Sequence, residues 1–310
     1  MIKRTLYFGN PAYLKTTNEQ LVVETPLPIP VNGEEGEIKT IQKTIPIEDI
    51  GLVILDHRQV TITQALLSKL LANNTALITC DDAHHPTGMM LNLDGHSLQS
   101  QKFRAQIEAT VPLKKQLWQQ TIAAKIKNQA AMLAFRREEN KILLNLADSV
   151  KSGDSDNCEA KAANYYWQRV FPDFLEFRRE RYGPPPNNLL NYGYAILRAL
   201  VARSLVASGL LPTLGIHHRN QYNSYCLADD IMEPYRPYVD YVVYQIIRNH
   251  GKDLDISPNK KKALLEIPAM DVKIDGQKSP LMNAVQRTTA SLAKCFEGTT
   301  RKILYPEMNL

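Results

Sequence analysis

Residues 113–133, LKKQLWQQTIAAKIKNQAAML, carry apolar side chains at the spacing of one face of a helix, and they mark a change along the chain. Upstream of them, short β-branched and aromatic runs alternate with turn sequences. Strands are predicted over residues 2–8, 20–24, 37–44, 51–56 and 76–80, with one helix over residues 63–71. The first part of the chain is therefore expected to be rich in β-structure.

The helical period begins at about Leu98, before this stretch, and continues beyond it. Further helices are predicted over residues 103–111, 138–148, 158–170, 187–208 and 231–248, and another begins at Ser257-Pro258. A strand pair near residues 272–278 turns at Asp275-Gly276 and precedes a last helix, which ends at about Phe296. The pattern predicts an α+β protein with a small β-rich N-terminal domain, residues 1–96, and a larger all-helical C-terminal domain, residues 97–310.

Amino-acid composition indicates which kinds of protein and of partner the chain fits. With 44% hydrophobic residues the chain is an ordinary globular sequence, and a net charge of +5 favours an anionic partner without requiring one. The four cysteines form no CxxC pair, which argues against a zinc knuckle and fits buried thiols in a reducing cytoplasm. The apolar residues 195–216 are interrupted by Arg198 and Arg203, so they predict a buried helix and no membrane contact.

Residues 215–234, GIHHRNQYNSYCLADDIMEP, gather the ligand types of a divalent cation, namely carboxylate oxygens and an imidazole nitrogen. The two histidines are adjacent and face different directions, so at most one is expected to join such a site. Asp230 and Glu233 are three apart and can share one face of a helix. The alternative is a helix-capping cluster with Asp229 or Asp230 as the N-cap.

A second acid, Glu159, opens the helix EAKAANYYW. Glu159, Ala162, Ala163 and Tyr166 share one face of this helix, and the small alanines would let another helix approach closely. The alternative is a first-turn glutamate that is favoured there only by the helix dipole.

Three motifs, in this order, resemble the CRISPR-associated integrase family (Cas one): EAKAANYYW from Glu159, GIHH from Gly215 and LADDIMEPYRP from Leu227. The likeness extends to residues 125–129 and 191–194 and to Asp240, and it covers essentially the whole chain. The resemblance implies that Mg²⁺ or Mn²⁺ is held by Glu159, His218 and Glu233, which are the catalytic residues, with Asp230 as an auxiliary residue.

The resemblance also implies a prokaryotic, cytoplasmic DNA integrase and endonuclease. In this family the 3′-hydroxyl of a short foreign duplex attacks a phosphodiester of the CRISPR repeat array by transesterification. The implied partners are double-stranded DNA, a second copy of the chain bound through the N-terminal domain, and the small second adaptation protein. The HHRNQYNSY version of the motif is most similar to type II systems, in which the effector nuclease and a ring-forming accessory protein also join.

Basic and amide side chains are expected to hold DNA phosphates, and each has a solvated surface position as its alternative. The predicted DNA-binding residues are Arg219, Asn220, Asn223, Lys125, Lys127, Arg178 and Arg179. Two other functions stay open: a stand-alone metal-dependent nuclease that acts on branched DNA, and a non-catalytic DNA-bridging scaffold in which the acids only cap helices.

Overall fold

The computed structural model describes residues 3–26, 40–171, 174, 177–251 and 253–309. The chain divides into two compact units, Met1–Gly95 and His96–Leu310. Over these described residues, the first unit contains two four-stranded sheets and one α-helix, and the second unit is mainly helical.

The first unit is built from short strands around one helix. Its strands are β1 (Arg4–Phe8), β2 (Ala12–Thr17), β3 (Gln20–Pro26), β4 (Thr40–Pro46), β5 (Ile50–Leu55), β6 (Val60–Ile62), β7 (Ala76–Cys80) and β8 (Pro86–Met90), and its helix is α1 (Gln64–Ala72). One sheet has the order β1-β5-β7-β8, in which β8 alone is antiparallel to its neighbour; the other has the order β4-β3-β2-β6. Leu14, Val53 and Leu66 belong to a core that joins both sheets to α1.

The predicted strands and helix of this unit are confirmed where the structure describes them. The ends of two predictions, residue 2 and residues 37–39, lie outside the described residues. Three strands were not predicted, namely β2, β6 and β8. In β8, Pro86 and Gly88 disfavour a strand, but β8 lies at the edge of its sheet, where a proline is tolerated.

The second unit contains nine described helices and a small sheet. The helices are α2 (Gln99–Ile107), α3 (Val111–Phe135), α4 (Lys141–Ser149), α5 (Cys158–Val170), α6 (Asn187–Ala207), α7 (Cys226–Met232), α8 (Arg236–His250), α9 (Pro258–Leu265) and α10 (Leu281–Phe296). The antiparallel sheet has the order β10-β9-β11, from β9 (Asp271–Ile274), β10 (Gln277–Pro280) and β11 (Pro306–Glu307). A 3-10 turn, Glu233–Tyr235, joins α7 to α8.

Two predicted helices cross a break between observed helices. The helix predicted over residues 103–111 crosses a break: α2 ends at Ile107, and Thr110 caps α3 by accepting a hydrogen bond from the Leu113 amide (3.4 Å). The helix predicted over residues 231–248 is also interrupted: α7 ends at Met232, Pro234 lies in the 3-10 turn, and α8 begins only at Arg236. The prediction for α5 matches its observed bounds.

Helix α6 lies at the centre of this unit. Its apolar side chains are buried almost throughout, which confirms the predicted buried helix. Gly193 lets α8 approach, since a Cβ atom there would lie 2.5 Å from Val239 Cγ1. Among the helices that the structure describes, none combines the length and the apolar composition that a membrane crossing needs. The thiols of Cys158, Cys226 and Cys295 are free and are buried as predicted, whereas Cys80 is half-buried.

Candidate functional site

Two of the predicted ligand carboxylates meet at Lys125 of α3. Its Nζ atom lies 2.7 Å from Glu159 Oε1 and 2.6 Å from Glu233 Oε2. Burial by itself lowers the pKa of Lys125, but the charges of Glu233 and Glu159 outweigh it, and the pKa is raised. Lys125 is therefore an ammonium ion that joins α3, α5 and the 3-10 turn.

Glu159 is fixed by the start of α5. The carboxylate of Asp154 accepts hydrogen bonds from the Cys158 amide (2.8 Å) and the Glu159 amide (3.0 Å), so Asp154 satisfies the first turn of the helix. Ala162, one turn further on, is completely buried, and α3 packs against α5. The inward face predicted for α5 is thus confirmed, and the approaching helix is α3.

Glu233 is held from both sides. Arg236 Nε donates a hydrogen bond to Oε1 (2.8 Å), whereas the buried Oε2 accepts no aligned hydrogen bond and has the Lys125 ammonium as its neighbour. Burial raises the pKa of Glu233, but Arg236 and Lys125 together bring that pKa down to about 2. Glu233 is therefore a buried carboxylate at neutral pH whose Oε2 is paired with the Lys125 ammonium.

Asp230 organises the loop that carries His218. Its carboxylate is fully buried and accepts hydrogen bonds from the amides of Ile216 (2.7 Å), His217 (2.9 Å) and His218 (3.2 Å). His218 Nδ1 lies 2.5 Å from Asp230 Oδ1, and this hydrogen bond is the main cause of a raised His218 pKa. With Nδ1 engaged, Nε2 is the nitrogen left for a ligand.

The close turn of this loop requires a glycine. A Cβ atom on Gly215 would clash with the carbonyl oxygen of His218 and would lie 2.8 Å from Asp230 Oδ2. The GIHH motif is therefore a loop that wraps around one buried carboxylate, and any larger residue at Gly215 would push His218 away from Asp230.

The rings of the adjacent histidines are perpendicular, and both lie against the indole of Trp118. The His217 ring stacks on the indole of Trp118, with centroids 4.1 Å apart and an interplanar angle of 2°, while the two histidine rings are nearly perpendicular at 88°. Trp118 lies on α3, two turns before Lys125. His217 thus packs against α3, and His218 is the histidine that Asp230 orients.

The capping interpretation of the acidic cluster is wrong. Asp229 lies within α7 and forms a two-pronged ion pair with Arg198, at 2.7 Å to Nε and 3.0 Å to Nη2. It also accepts a hydrogen bond from Asn223 Nδ2 (2.7 Å). In the part of the chain that the structure describes, the N-terminal residues of α7 and α8 make no side-chain cap. The acids of this segment contact cations and loop amides instead.

The predicted DNA-binding residues fall into two groups. Arg219, Asn220, Arg178 and Lys127 are exposed, and Lys127 Nζ lies 3.3 Å from the exposed Asp148. Lys125, Asn223 and Arg179 have buried or half-buried side chains with protein partners, and those of Arg179 include Asn187 Oδ1 (3.0 Å) and Asn191 Oδ1 (2.7 Å). DNA contact stays a prediction for all seven.

The chemistry of the donor set fits Mg²⁺ or Mn²⁺. Two carboxylates and one imidazole nitrogen are suitable ligands for such a cation, and the buried Glu233 Oε2 already faces a cation, the Lys125 ammonium at 2.6 Å. Over the described residues, no three His, Cys, Asp or Glu side chains are grouped closely enough to hold a metal as they stand. The Lys125 ammonium lies between the two acids.

Sequence reasoning missed the role of Lys125 in this cluster, although a signal was present. Trp118, Ile122, Lys125 and Gln129 follow one face of α3 at helical spacing, and all four are buried. A lysine on a buried helix face requires an acidic partner, because an unpaired charge is too costly to bury. Which acids pair with it depends on the tertiary fold.

Comparison with known proteins agrees with the family resemblance of the sequence motifs. The model of the family described as CRISPR associated protein Cas1 matches residues 6–271. A CRISPR-associated endonuclease Cas1 of Neisseria meningitidis serogroup C (strain 8013) is 34% identical, over 99% of this chain and 97% of the relative.

Solved structures share the fold at lower identity. A casposase bound to integration product has a TM-score of 0.77 at 20% identity, over 98% of this chain and 92% of that chain. A structure described as a Cas6-RT-Cas1–Cas2 complex has a TM-score of 0.73 at 19% identity, over 99% of this chain and 36% of that chain. By the family match and the 34% identical relative, this chain belongs to the CRISPR-associated Cas1 family.

Proposed function

We propose that this chain is a metal-dependent DNA integrase and endonuclease that inserts short foreign DNA into a CRISPR array by transesterification. The observation that carries the proposal is the cluster of Glu159 and Glu233 around one cation, beside a loop in which Asp230 orients His218. Membership of the Cas1 family supports the same activity.

Glu159, Glu233 and His218 Nε2 would hold Mg²⁺ or Mn²⁺. When bound, the ion supplies Lewis acidity to the scissile phosphate and to the attacking or leaving oxygen. Asp230 keeps the proton of His218 on Nδ1 and fixes the plane of the ring, so that Nε2 is presented as a ligand. Arg236 holds Oε1 of Glu233, which leaves Oε2 for the cation.

The proposed DNA path starts beside His218. Arg219 and Asn220 follow it directly and are exposed, so they can reach a phosphate near the reacting bond. Arg178 and Lys127 are exposed cations for contacts further along a duplex. Phosphate contacts of this kind orient the 3′-hydroxyl and the target phosphodiester, and such positioning supplies much of the rate of a transfer reaction.

Strand transfer is favoured over stand-alone hydrolysis. The fold-similar casposase structure is described as bound to integration product, and the complex of similar fold is described as containing Cas2. We therefore include the small second adaptation protein as a partner. The proposal also includes pairing of two copies through the N-terminal unit. It further includes a type II complex with the effector nuclease and the accessory protein.

The test is the dependence of product on the 3′-hydroxyl. A labelled short duplex is incubated with the chain, the small adaptation protein, Mn²⁺ and a plasmid that carries a repeat array, and a matched duplex with 3′-dideoxy ends is the control. Integration predicts labelled plasmid from the hydroxyl duplex alone. Equal labelled product from the dideoxy duplex would exclude attack by the 3′-hydroxyl, and a plasmid that is nicked but unlabelled would indicate a nuclease.

A further inference from the structure

The Lys125 ammonium group holds the oxygens that the proposed metal needs. Nζ contacts Oε1 of Glu159 and Oε2 of Glu233 at ion-pair distance. The second oxygen of Glu233 already accepts from Arg236, so Oε2 is the one that can change partner. The lysine side chain is 11% exposed, whereas that of Lys127 on the same helix is 56% exposed.

The position of Lys125 reduces the repulsion between the carboxylates of Glu159 and Glu233 when no metal is bound. Two carboxylates that face one small region repel each other, and Glu233 is almost completely buried. A positive charge between them removes that repulsion without bound metal. The same charge opposes a second cation, because two cations in one partly buried site repel each other strongly.

We propose that Lys125 is an internal counter-ion that competes with the divalent metal for Glu159 and Glu233. The ammonium group and the metal hold these oxygens in turn, so metal binding requires the lysine side chain to swing away. The inference rests on the proposed metal site. It makes Lys125 a residue that sets metal affinity, in addition to any contact that it makes with DNA.

The experiment measures Mn²⁺ affinity of the full chain without DNA, by isothermal titration calorimetry. Lys125→Met removes the charge and keeps an unbranched side chain, and Lys125→Gln is a second neutral variant that keeps a hydrogen-bond donor. Lys125→Arg retains the charge. Lys127→Met is the matched control, since it removes an exposed lysine from the same helix.

Competition predicts that both neutral variants bind Mn²⁺ at least about tenfold more tightly than the wild type. Lys125→Arg and Lys127→Met should bind no more tightly than the wild type. In EDTA the neutral variants should melt at lower temperature, since their acids lose the counter-ion, and Mn²⁺ should raise their melting temperature by more than that of the wild type. A neutral variant that does not fold in EDTA but folds in Mn²⁺ agrees with the inference.

Two further outcomes separate this inference from the proposed function. In the first outcome, the neutral variants bind Mn²⁺ no more tightly than the wild type, and Glu233→Ala does not bind it. This result would overturn the role of Lys125 and leave the metal site intact. Mn²⁺ binding that Glu233→Ala does not reduce, or an absence of binding in every form including the neutral variants, would overturn the metal site and the inference with it.

Discussion

Glu233 and Asp240 are two buried acids, seven residues apart, and their pKa values are shifted in opposite directions. Glu233 is bordered by Arg236 and Lys125, and despite burial its pKa falls to about 2. Asp240 accepts hydrogen bonds from the hydroxyl groups of Tyr166 (2.8 Å) and Tyr194, and burial raises its pKa to about 6. Burial is common to both acids, so the neighbours decide the outcome.

The two acids also share their helical partner. Glu159 and Tyr166 lie seven residues apart on α5, and they belong to the clusters of Glu233 and Asp240, respectively. One pair of helical segments therefore holds a charged, cation-binding cluster at one end and a hydroxyl-bound carboxyl group at the other. We propose that the first cluster binds the catalytic metal and that the second has a packing role.

Replacement of Glu233 and of Asp240 by the corresponding amides should give the largest difference in strand-transfer activity between the two clusters. Glu233→Gln keeps the shape and can still accept from Arg236, but it loses the charge that a metal needs, so strand transfer should fall by about 10³-fold. Asp240→Asn can still accept from a tyrosine and should lower activity by no more than roughly tenfold. Equal losses in an integration assay would contradict the comparison.

The pH dependence of stability should reveal the unusual pKa of Asp240. A folded-state pKa above the ordinary value of 3.8 means that the folded protein holds this proton longer than the unfolded chain. Stability from Asp240 should therefore fall by about 3 kcal/mol as the pH rises from below 4 to above 6.

Urea unfolding of the wild type and Asp240→Asn at pH 4 and pH 7 measures this effect. The wild type should lose stability relative to the variant at the higher pH. A difference that is constant with pH, or one that changes in the opposite direction, would show that burial does not dominate at Asp240.

Asp230→Asn tests whether the orientation of His218 matters. The amide would still accept from part of the loop, but it cannot hold the protonated Nδ1 as a carboxylate does, so metal affinity and strand transfer should each fall about 10- to 100-fold. A loss that appears only in thermal stability, with unchanged Mn²⁺ affinity of the folded protein, would reduce Asp230 to a loop anchor.

The smallest expected effect concerns DNA affinity. Arg219→Ala should weaken duplex binding a few-fold and lower the slope of log Kd against log salt by about 1, since one phosphate contact is lost. Lys262→Ala, which removes an exposed lysine on α9, is the charge-matched control. If both variants weaken binding equally in fluorescence anisotropy titrations, net charge and not a specific contact explains the change.

The sequence predicts those features that depend on local pattern. The bounds of α5 and β7 follow from periodicity and turn residues, and the order of β-rich and helical units follows from the change of period. The start of α7 was missed because a proline at 234 suggested a helix start there, whereas a 3-10 turn accommodates it. Local signals of this kind cannot decide between a cap and a turn.

The contacts of the candidate site depend on residues that are distant in sequence. Lys125 meets Glu159 and Glu233 only because α3, α5 and the 3-10 turn converge. Periodicity indicates that Lys125 faces the interior but not which acids it meets, and for the same reason the ion pair of Arg198 with Asp229 was not foreseen. Asp230 was assigned an auxiliary role by resemblance, and its hydrogen bonds to the loop amides and to His218 give a physical basis for that role.

Anomalous diffraction from crystals grown with Mn²⁺ tests the central claim most directly, because it locates the ion itself. We predict one strong anomalous peak at coordination distance from Glu159, Glu233 and His218 Nε2, with the Lys125 ammonium group moved out of the space between the acids. Crystals in which Lys125 still bridges the two carboxylates and Mn²⁺ is bound elsewhere or not at all would contradict the proposed metal site.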